Sequence, residues 1–284
     1  MKNILVATDF SNNAYCALFY AAQLLKSEVC TFHILNTYNE LTPLNGKSVP
    51  MLGRKKQLLA LYKESEDRLT ETSHKIVLDT GNPQHKFHII SVQGDLAKTI
   101  KKQLQQKDID LLVMGNKGLT ETADIFFGSN TIQVINAMTN CPILAIPREI
   151  DFKAPKEIAF VTDYKTGCHP NTIAPLLFVA SLSKAAIRVI HINEQQHLSE
   201  QQESNRIHLK TCFESLEHSF HNVYEFEDKA KVIETFLDKM QIDLYAMVNR
   251  KKNLFERMTH EPVIKDVSMY SDVPFLVLPE KIGD

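Results

Sequence analysis

The chain has 284 residues, of which 44% are hydrophobic and 23% charged, and its formal net charge at pH 7 is −2. Such a composition is typical of a globular protein with one large or two ordinary domains. The nearly balanced charge favours neither a nucleic-acid nor a membrane partner, and no apolar run approaches membrane-spanning length. The N-terminus does not resemble a signal peptide. The five cysteines are scattered without a C-x-x-C pair, which predicts reduced thiols and a cytoplasmic location.

Strands and helices are predicted to alternate through the first half of the chain. The predicted strands cover 3–8, 29–35, 87–92, 109–114 and 142–147. The predicted helices follow Ser11, cover 54–75, follow Asp95 and cover 131–138, and 37–53 reads as an irregular excursion. This alternation predicts an α/β fold with a parallel sheet. Five strands suit a doubly wound, flavodoxin-like or Rossmann-like order of 3-2-1-4-5, in which strands one and four flank the ligand-binding crevice.

From Lys153 the pattern restarts. The segment Lys156–Asp163 echoes Lys2–Asp9, and the segment 273–279 echoes 141–147. Between them the predicted helices cover 171–184, 205–219 and 230–240, and the predicted strands cover 187–193, 222–227 and 242–248. An internal repeat of this length predicts two tandem domains, 1–150 and 151–284, each with its own five-stranded sheet.

The most specific pattern is a glycine motif after the fourth strand. Gly115-Asn116-Lys117-Gly118 is followed, after nine residues, by Gly128-Ser129-Asn130-Thr131 and a predicted helix. Glycine can adopt a positive φ and lets the backbone approach a ligand closely. The N-terminus of a helix offers unpaired N–H donors at the positive end of its dipole, and the hydroxyls of Ser129 and Thr131 would add further donors. The pattern therefore predicts a phosphate site, and it is neither a Walker A loop nor the GxGxxG fingerprint.

Together with the opening Ile4-Leu5-Val6-Ala7-Thr8-Asp9-Phe10-Ser11, this G-x2-G-x9-G-S spacing resembles the universal stress proteins of the ATP-binding kind. The resemblance implies an ATP-binding, stress-response or regulatory protein, with ATP, ADP or AMP as ligand and Mg²⁺ on the phosphates. Position by position, it implies that the nucleotide contacts the following residues. They are Ala7, Thr8, Asp9, Ile34, Met114, Gly115, Lys117, Gly118, Gly128, Ser129, Asn130 and Thr131.

The second copy departs from this motif. Val248 stands where the first copy has Gly115, and His260-Glu261 answers Gly128-Ser129. A β-branched valine resists a positive φ, and a carboxylate would occupy the place of a phosphate. The sequence therefore predicts one competent nucleotide domain and one degenerate domain.

Several residues also have purely structural interpretations. The glycines could be turn residues in an empty flavodoxin-like domain, and Asp9 could cap the loop before the first helix. His33 and His191 are interpreted as counterparts in strand two of each copy, with a packing role. Cys168-His169 near Asp163 invites a metal or nucleophile hypothesis, but a loop cysteine beside a histidine without further ligands is usually inert, so no metal site is predicted.

Three functions remain open from the residues. The first is an ATP-binding regulatory protein with slow hydrolysis at most, because no catalytic signature for phosphoryl transfer is present and no catalytic residue is predicted. The second is an interaction or small-ligand module with a vestigial nucleotide site. The third is a genuine ATPase that depends on Asp9.

The last strand of each copy is apolar and would lie at a sheet edge, so it needs a cover. Members of the family that the chain resembles commonly pair these edges between subunits. With two copies in one chain, 142–147 is predicted to pair with 274–279 in an internal pseudo-dimer. Association of chains into a homodimer is left open.

Overall fold

A computed structural model of the chain describes residues 1–39, 42, 54–117, 128–148, 150–165, 168–192, 197–224, 229–249 and 272–280. Within these ranges it contains ten strands and seven helices. None of the helices there is both long and apolar enough to cross a membrane.

The described part of the first half contains five strands and four helices in alternation. They are β1 (Lys2–Ala7), α1 (Asn12–Leu24), β2 (Cys30–Tyr38), α2 (Arg54–Thr80), β3 (His85–Gln93), α3 (Leu96–Gln106), β4 (Leu111–Gly115), α4 (Ser129–Ala137) and β5 (Ile143–Ile146). The described part of the second half contains five strands and three helices. They are β6 (Glu157–Thr162), α5 (Pro170–Ser183), β7 (Ala186–Ile192), α6 (Glu200–Cys212), β8 (His218–Val223), α7 (Lys229–Lys239), β9 (Leu244–Asn249) and β10 (Phe275–Pro279).

All ten strands belong to one sheet, in the order β3-β2-β1-β4-β5-β10-β9-β6-β7-β8. The strands of the first half follow the predicted order 3-2-1-4-5, and those of the second half follow the same order read from the opposite edge. Neighbouring strands within each half are parallel. The α/β, doubly wound architecture predicted from the alternation of elements is therefore confirmed.

The two halves join through β5 and β10, which pair antiparallel at the centre of the sheet. Leu276 lies opposite Leu144, and both side chains are fully buried. The predicted pairing of 142–147 with 274–279 is present, and each strand covers an apolar edge that the other half would otherwise expose.

Helices cover both faces of the sheet. The side chains of α1, α2, α5 and α6 form one hydrophobic cluster with the sheet, and those of α3, α4 and α7 form the other. Each cluster contains residues from both halves. The core is therefore continuous across the join between β5 and β10.

The repeat is visible in the backbone where β1 and β6 end. Phe10 has a φ of 64° and Tyr164 a φ of 56°. In the first half the Phe10 N–H donates to the hydroxyl of Thr8 at 3.0 Å, and in the second half the Tyr164 N–H donates to the hydroxyl of Thr162 at 3.0 Å. Positive φ is uncommon for bulky residues, so its recurrence supports the alignment of the two copies.

Two predicted elements of the second half are misplaced. Helix α6 spans Glu200–Cys212 instead of 205–219, and β8 spans His218–Val223 instead of 222–227. For α6 the cause is a capping box at Ser199, whose hydroxyl accepts from the N–H of Gln202 while the Gln202 side chain accepts from the N–H of Ser199. These bonds begin the helix earlier than its apolar periodicity indicates.

The interpretation of His33 and His191 as counterparts is wrong. His191 pairs in register with Thr162, and its Nδ1 lies 3.1 Å from the Thr162 carbonyl oxygen. In the first half the equivalent bond is made by Asn36, whose Nδ2 donates to the Thr8 carbonyl at 2.7 Å. Asn36 is therefore the counterpart of His191. The short apolar strands carry no register signal of their own, which explains the error.

Candidate functional site

The predicted site residues of the first half converge on one edge of the sheet. Strands β1 and β4 are parallel neighbours, with Val6 in register with Val113. The carboxyl ends of parallel neighbours emerge side by side, and in doubly wound sheets this is where ligands bind. Asp9, which follows β1, and Gly115, which ends β4, therefore reach the same edge, as the sequence predicts.

Gly115 was expected to be useful because glycine can adopt a positive φ, but its φ is not positive. Close packing explains instead why this position is a glycine. Within the described residues, only Gly81 and Gly94 are glycines with a positive φ. A Cβ atom at Gly115 would lie 2.5 Å from Oδ1 of Asn13 and 2.7 Å from its Cγ. Glycine is thus the residue that lets α1 approach the end of β4.

Asn13 links three elements around the site. Its Nδ2 donates to the carbonyls of Ile146 at 3.0 Å and Pro147 at 2.9 Å, at the end of β5, and its Oδ1 accepts from the N–H of Lys117 at 3.1 Å. The side chain is buried. Sequence reasoning missed this residue, since an asparagine in the first turn of a helix is common and carries no distinctive signal.

The second part of the motif lies at the start of α4, which begins at Ser129, two residues before the predicted start at 131. Gly128 is the N-cap residue with φ −65° and ψ 154°, and it provides no side-chain cap. Its N–H donates to the Asn116 carbonyl at 2.7 Å, which brings the start of the helix to the end of β4. Ser129 and Asn130 are exposed in the first turn, where backbone N–H groups and the helix dipole favour an anion.

Thr131 has a different role from the one predicted. Its side chain is buried, and its hydroxyl donates to the Gly115 carbonyl at 3.0 Å. The donor is therefore used to fix α4 against β4. Thr131 supports the geometry of the motif, and the backbone of the first helical turn remains the source of donors for a ligand.

The end of β1 is held by a chain of polar side chains. Asn36 donates to the Thr8 carbonyl, and its Oδ1 accepts from the hydroxyl of Ser65 on α2 at 2.9 Å. The Ser91 hydroxyl on β3 donates to Ser65 at 2.7 Å. Asp9 accepts from the N–H of Ser11 at 2.9 Å through one carboxylate oxygen, so the predicted loop-capping role is present at that oxygen. Sequence reasoning also missed Asn36, because its part depends on strand register.

Three predicted contact residues have buried apolar side chains. Ala7 and Met114 belong to the cluster under α3 and α4, and Ile34 belongs to the cluster under α1 and α2. Ile34 pairs with Val6, before β1 ends, and its side chain is fully buried. Ile34 therefore lies on the opposite face of the sheet from Ala7 and Met114.

Two further predicted residues, Lys117 and Gly118, belong to the segment between β4 and α4. Lys117 is the last described residue after β4 and is buried. Gly118 lies outside the described residues, as do the counterparts of the motif in the second half, His260 and Glu261.

The corresponding edge of the second half is arranged differently. The side chains of Gln202 and Asn205 on α6 donate to the carbonyls of Asp163 and Tyr164, at 2.8 and 2.6 Å. The ring of Tyr164 stacks on that of His191 with centroids 4.4 Å apart. Side chains of this half therefore occupy the end of β6.

The surroundings of His191 favour its neutral form. Burial lowers its pKa and outweighs the opposite effects of the Thr162 carbonyl and the Asp163 carboxylate. Its Nε2 is buried and has no hydrogen-bond partner among the described residues. The bond to the Thr162 carbonyl needs a proton on Nδ1, so Nε2 carries none.

Chemically, the first-half edge combines a helix N-terminus, the hydroxyl of Ser129, Lys117 and the carboxylate of Asp9. The helix N-terminus can bind an anion, and the Asp9 carboxylate beside it can accept hydrogen bonds from the same ligand. Within the ranges that the structure describes, no group of three or more His, Cys, Asp or Glu side chains could hold a metal ion. His169 serves as the N-cap of α5.

Comparisons with known proteins point to one family. The model of the universal stress protein family matches residues 1–147. A curated universal stress protein of Methanocaldococcus jannaschii is 28% identical over 156 residues, which cover 52% of this chain and 96% of that protein.

Solved structures show the same fold over nearly the whole chain. A universal stress protein from Archaeoglobus fulgidus matches with a TM-score of 0.74 at 18% identity, covering 98% of this chain and 96% of that one. A functionally unknown protein from Pseudomonas aeruginosa matches with a TM-score of 0.56 at 16% identity, covering 99% and 93%. With the glycine motif at the end of β4 and the family match over 1–147, the chain belongs to the universal stress protein family.

Proposed function

We propose that residues 1–150 form a universal stress protein domain that binds ATP, and that residues 151–284 form a degenerate second domain. Nucleotide occupancy would regulate a stress-response function, with slow hydrolysis at most. The observation that carries the proposal is the start of α4, which is attached to the end of β4 by the Gly128–Asn116 and Thr131–Gly115 bonds. A helix N-terminus held at the carboxyl edge of a doubly wound sheet is well suited to bind phosphate.

The nucleoside would lie against the end of β1. There Thr8 and Asp9 form a turn that Asn36 holds through the Thr8 carbonyl, and the carboxylate of Asp9 can accept from ribose hydroxyls. The triphosphate would then extend past Gly115 towards Ser129 and Asn130. The Mg²⁺ ion expected with ATP would be carried mainly by the phosphate oxygens, since the described residues provide no cluster of protein ligands for it.

The second domain is proposed to bind no nucleotide in this way. Val248 replaces the glycine at the end of the equivalent strand, and Gln202 and Asn205 occupy the carbonyls that follow β6. We therefore expect one nucleotide per chain.

Two substitutions at Gly128 separate the phosphate site from the stability of α4. Both aspartate and asparagine are good N-cap residues and suit the φ of −65° found there, so both should preserve the helix. Gly128→Asp also places a carboxylate beside the phosphates, and we expect it to weaken binding of Mg·ATP about tenfold or more. Gly128→Asn is the matched neutral control and should lie closer to the wild type.

Isothermal titration with Mg·ATP and with adenosine measures these effects. Adenosine lacks phosphates, so its affinity should be the same in both variants. Equal affinity of the two variants for Mg·ATP would show that phosphate does not bind at the start of α4, and it would overturn the proposed site.

A further inference from the structure

Helix α4 is held at its far end by a residue from the second half of the chain. Asn249, the last residue of β9, donates from Nδ2 to the carbonyls of Ile135 at 2.7 Å and Met138 at 3.3 Å. Asn249 is buried, with 4% of the residue exposed. This contact joins positions 111 to 114 residues apart along the chain, from one half to the other.

The contact meets a need of this particular helix. The last four carbonyls of an α-helix have no partner within the helix. Helix α4 has only nine residues, and no side chain caps its first turn. Helices this short are marginal on their own, so packing and contacts at the ends decide where they lie.

Asn249 is itself firmly placed. It stands in register with Pro279 on β10, and β10 pairs with β5 of the first half. The sheet thus connects Asn249 to the strand next to β4. Thr131 fixes the first turn of α4 to the end of β4, and Asn249 fixes the last turn to the end of β9.

We propose that Asn249 is a positioning residue for the phosphate-binding helix, through which the second half supports the nucleotide site of the first. The inference rests on the proposed function, because it assigns phosphate binding to α4. It gives the second half a role in nucleotide binding although that half lacks the glycine motif. Asn249 touches no ligand in this account and acts only through α4.

The test compares two asparagine-to-leucine variants of the full chain. Asn249→Leu removes both hydrogen bonds to α4 and replaces the asparagine by a side chain of similar size. Asn205→Leu is the matched control, because Asn205 also donates from Nδ2 to two carbonyls, those of Tyr164 at 2.6 Å and Lys165 at 3.4 Å, without contacting α4. Affinities for Mg·ATP and adenosine are measured for both variants and the wild type.

We expect Asn249→Leu to weaken Mg·ATP about fivefold to tenfold, the worth of one or two hydrogen bonds, and to leave adenosine unchanged. Asn205→Leu should change neither affinity. A residue with a merely structural role would weaken both ligands together. Should Asn249→Leu not fold, Asn249→Ser, which is too short to reach both carbonyls, replaces it with the same expectation.

The outcomes separate this inference from the proposed function. If the wild type binds Mg·ATP and the Asn249 variant binds it equally well, or loses adenosine to the same degree, the inference is overturned and the proposed function stands. If the wild type binds no Mg·ATP at millimolar concentration, both are overturned.

Discussion

At the scale of single residues, Gly115 shows how the site depends on packing. The space that a Cβ would need is taken by the side chain of Asn13, which is held by its bonds to the carbonyls of Ile146 and Pro147. The glycine was predicted from its motif, but its physical reason was not, since no local pattern reveals that a helix passes so close to the end of β4.

Gly115→Ala should therefore destabilise the protein by about 1–3 kcal/mol, the usual cost of inserting a methyl group into a packed site. Chemical denaturation measures the change. Because the clash is with Asn13, Gly115→Ala combined with Asn13→Ala should cost less than the sum of the two single variants, by about 1 kcal/mol. Strict additivity of the three measurements would show that the two residues do not compete for space.

His191 predicts a pH dependence of stability. Burial, the largest effect, lowers its pKa from the ordinary value of 6.5, so the unfolded chain binds a proton more readily than the folded one. The contribution of neutral His191 is fully present above pH 6.5 and is lost as the pH falls below that value towards the folded pKa. The loss can reach about 1.4 kcal/mol for each unit of pH.

His191→Asn should remove this dependence, because asparagine does not titrate. The substitution should preserve the fold, because Asn36 makes the equivalent bond to Thr8 in the first half. Unfolding free energies of both proteins at pH 7.5 and pH 5 give the comparison. His33, His85 and His221 also have pKa values lowered chiefly by burial, but they are present in both proteins and their effects cancel. A wild type and variant that lose equal stability on acidification would contradict this account.

At the scale of elements, the alternation of strands and helices could be predicted because apolar runs and amphipathic periods are local properties. The start of α4 was predicted at 131, two residues late, although the glycine motif was correctly placed at the N-terminus of this helix. The start of α6 was misplaced because a capping box outside the apolar period decides it. Asn36 and Asn249 could not be identified, since each acts through strand register or through a helix that is remote in sequence.

At the scale of the whole molecule, one continuous sheet and two shared hydrophobic clusters unite the halves. The apolar strands 142–147 and 274–279 made their pairing predictable, since an exposed edge of this kind needs a cover. The prediction that only the first half binds nucleotide rests on Val248 in place of a glycine. The hydrogen bonds from Gln202 and Asn205 to the carbonyls that follow β6 became visible only in three dimensions.

The central claim is that this chain has one working nucleotide site, in its first half. Native mass spectrometry of the full chain, titrated with ATP and Mg²⁺, tests it most directly because it counts the bound nucleotides. The account predicts saturation at one nucleotide per chain, with binding weakened in Gly128→Asp and retained in Gly128→Asn. A chain that binds no nucleotide at millimolar ATP, or one that saturates at two, would contradict it.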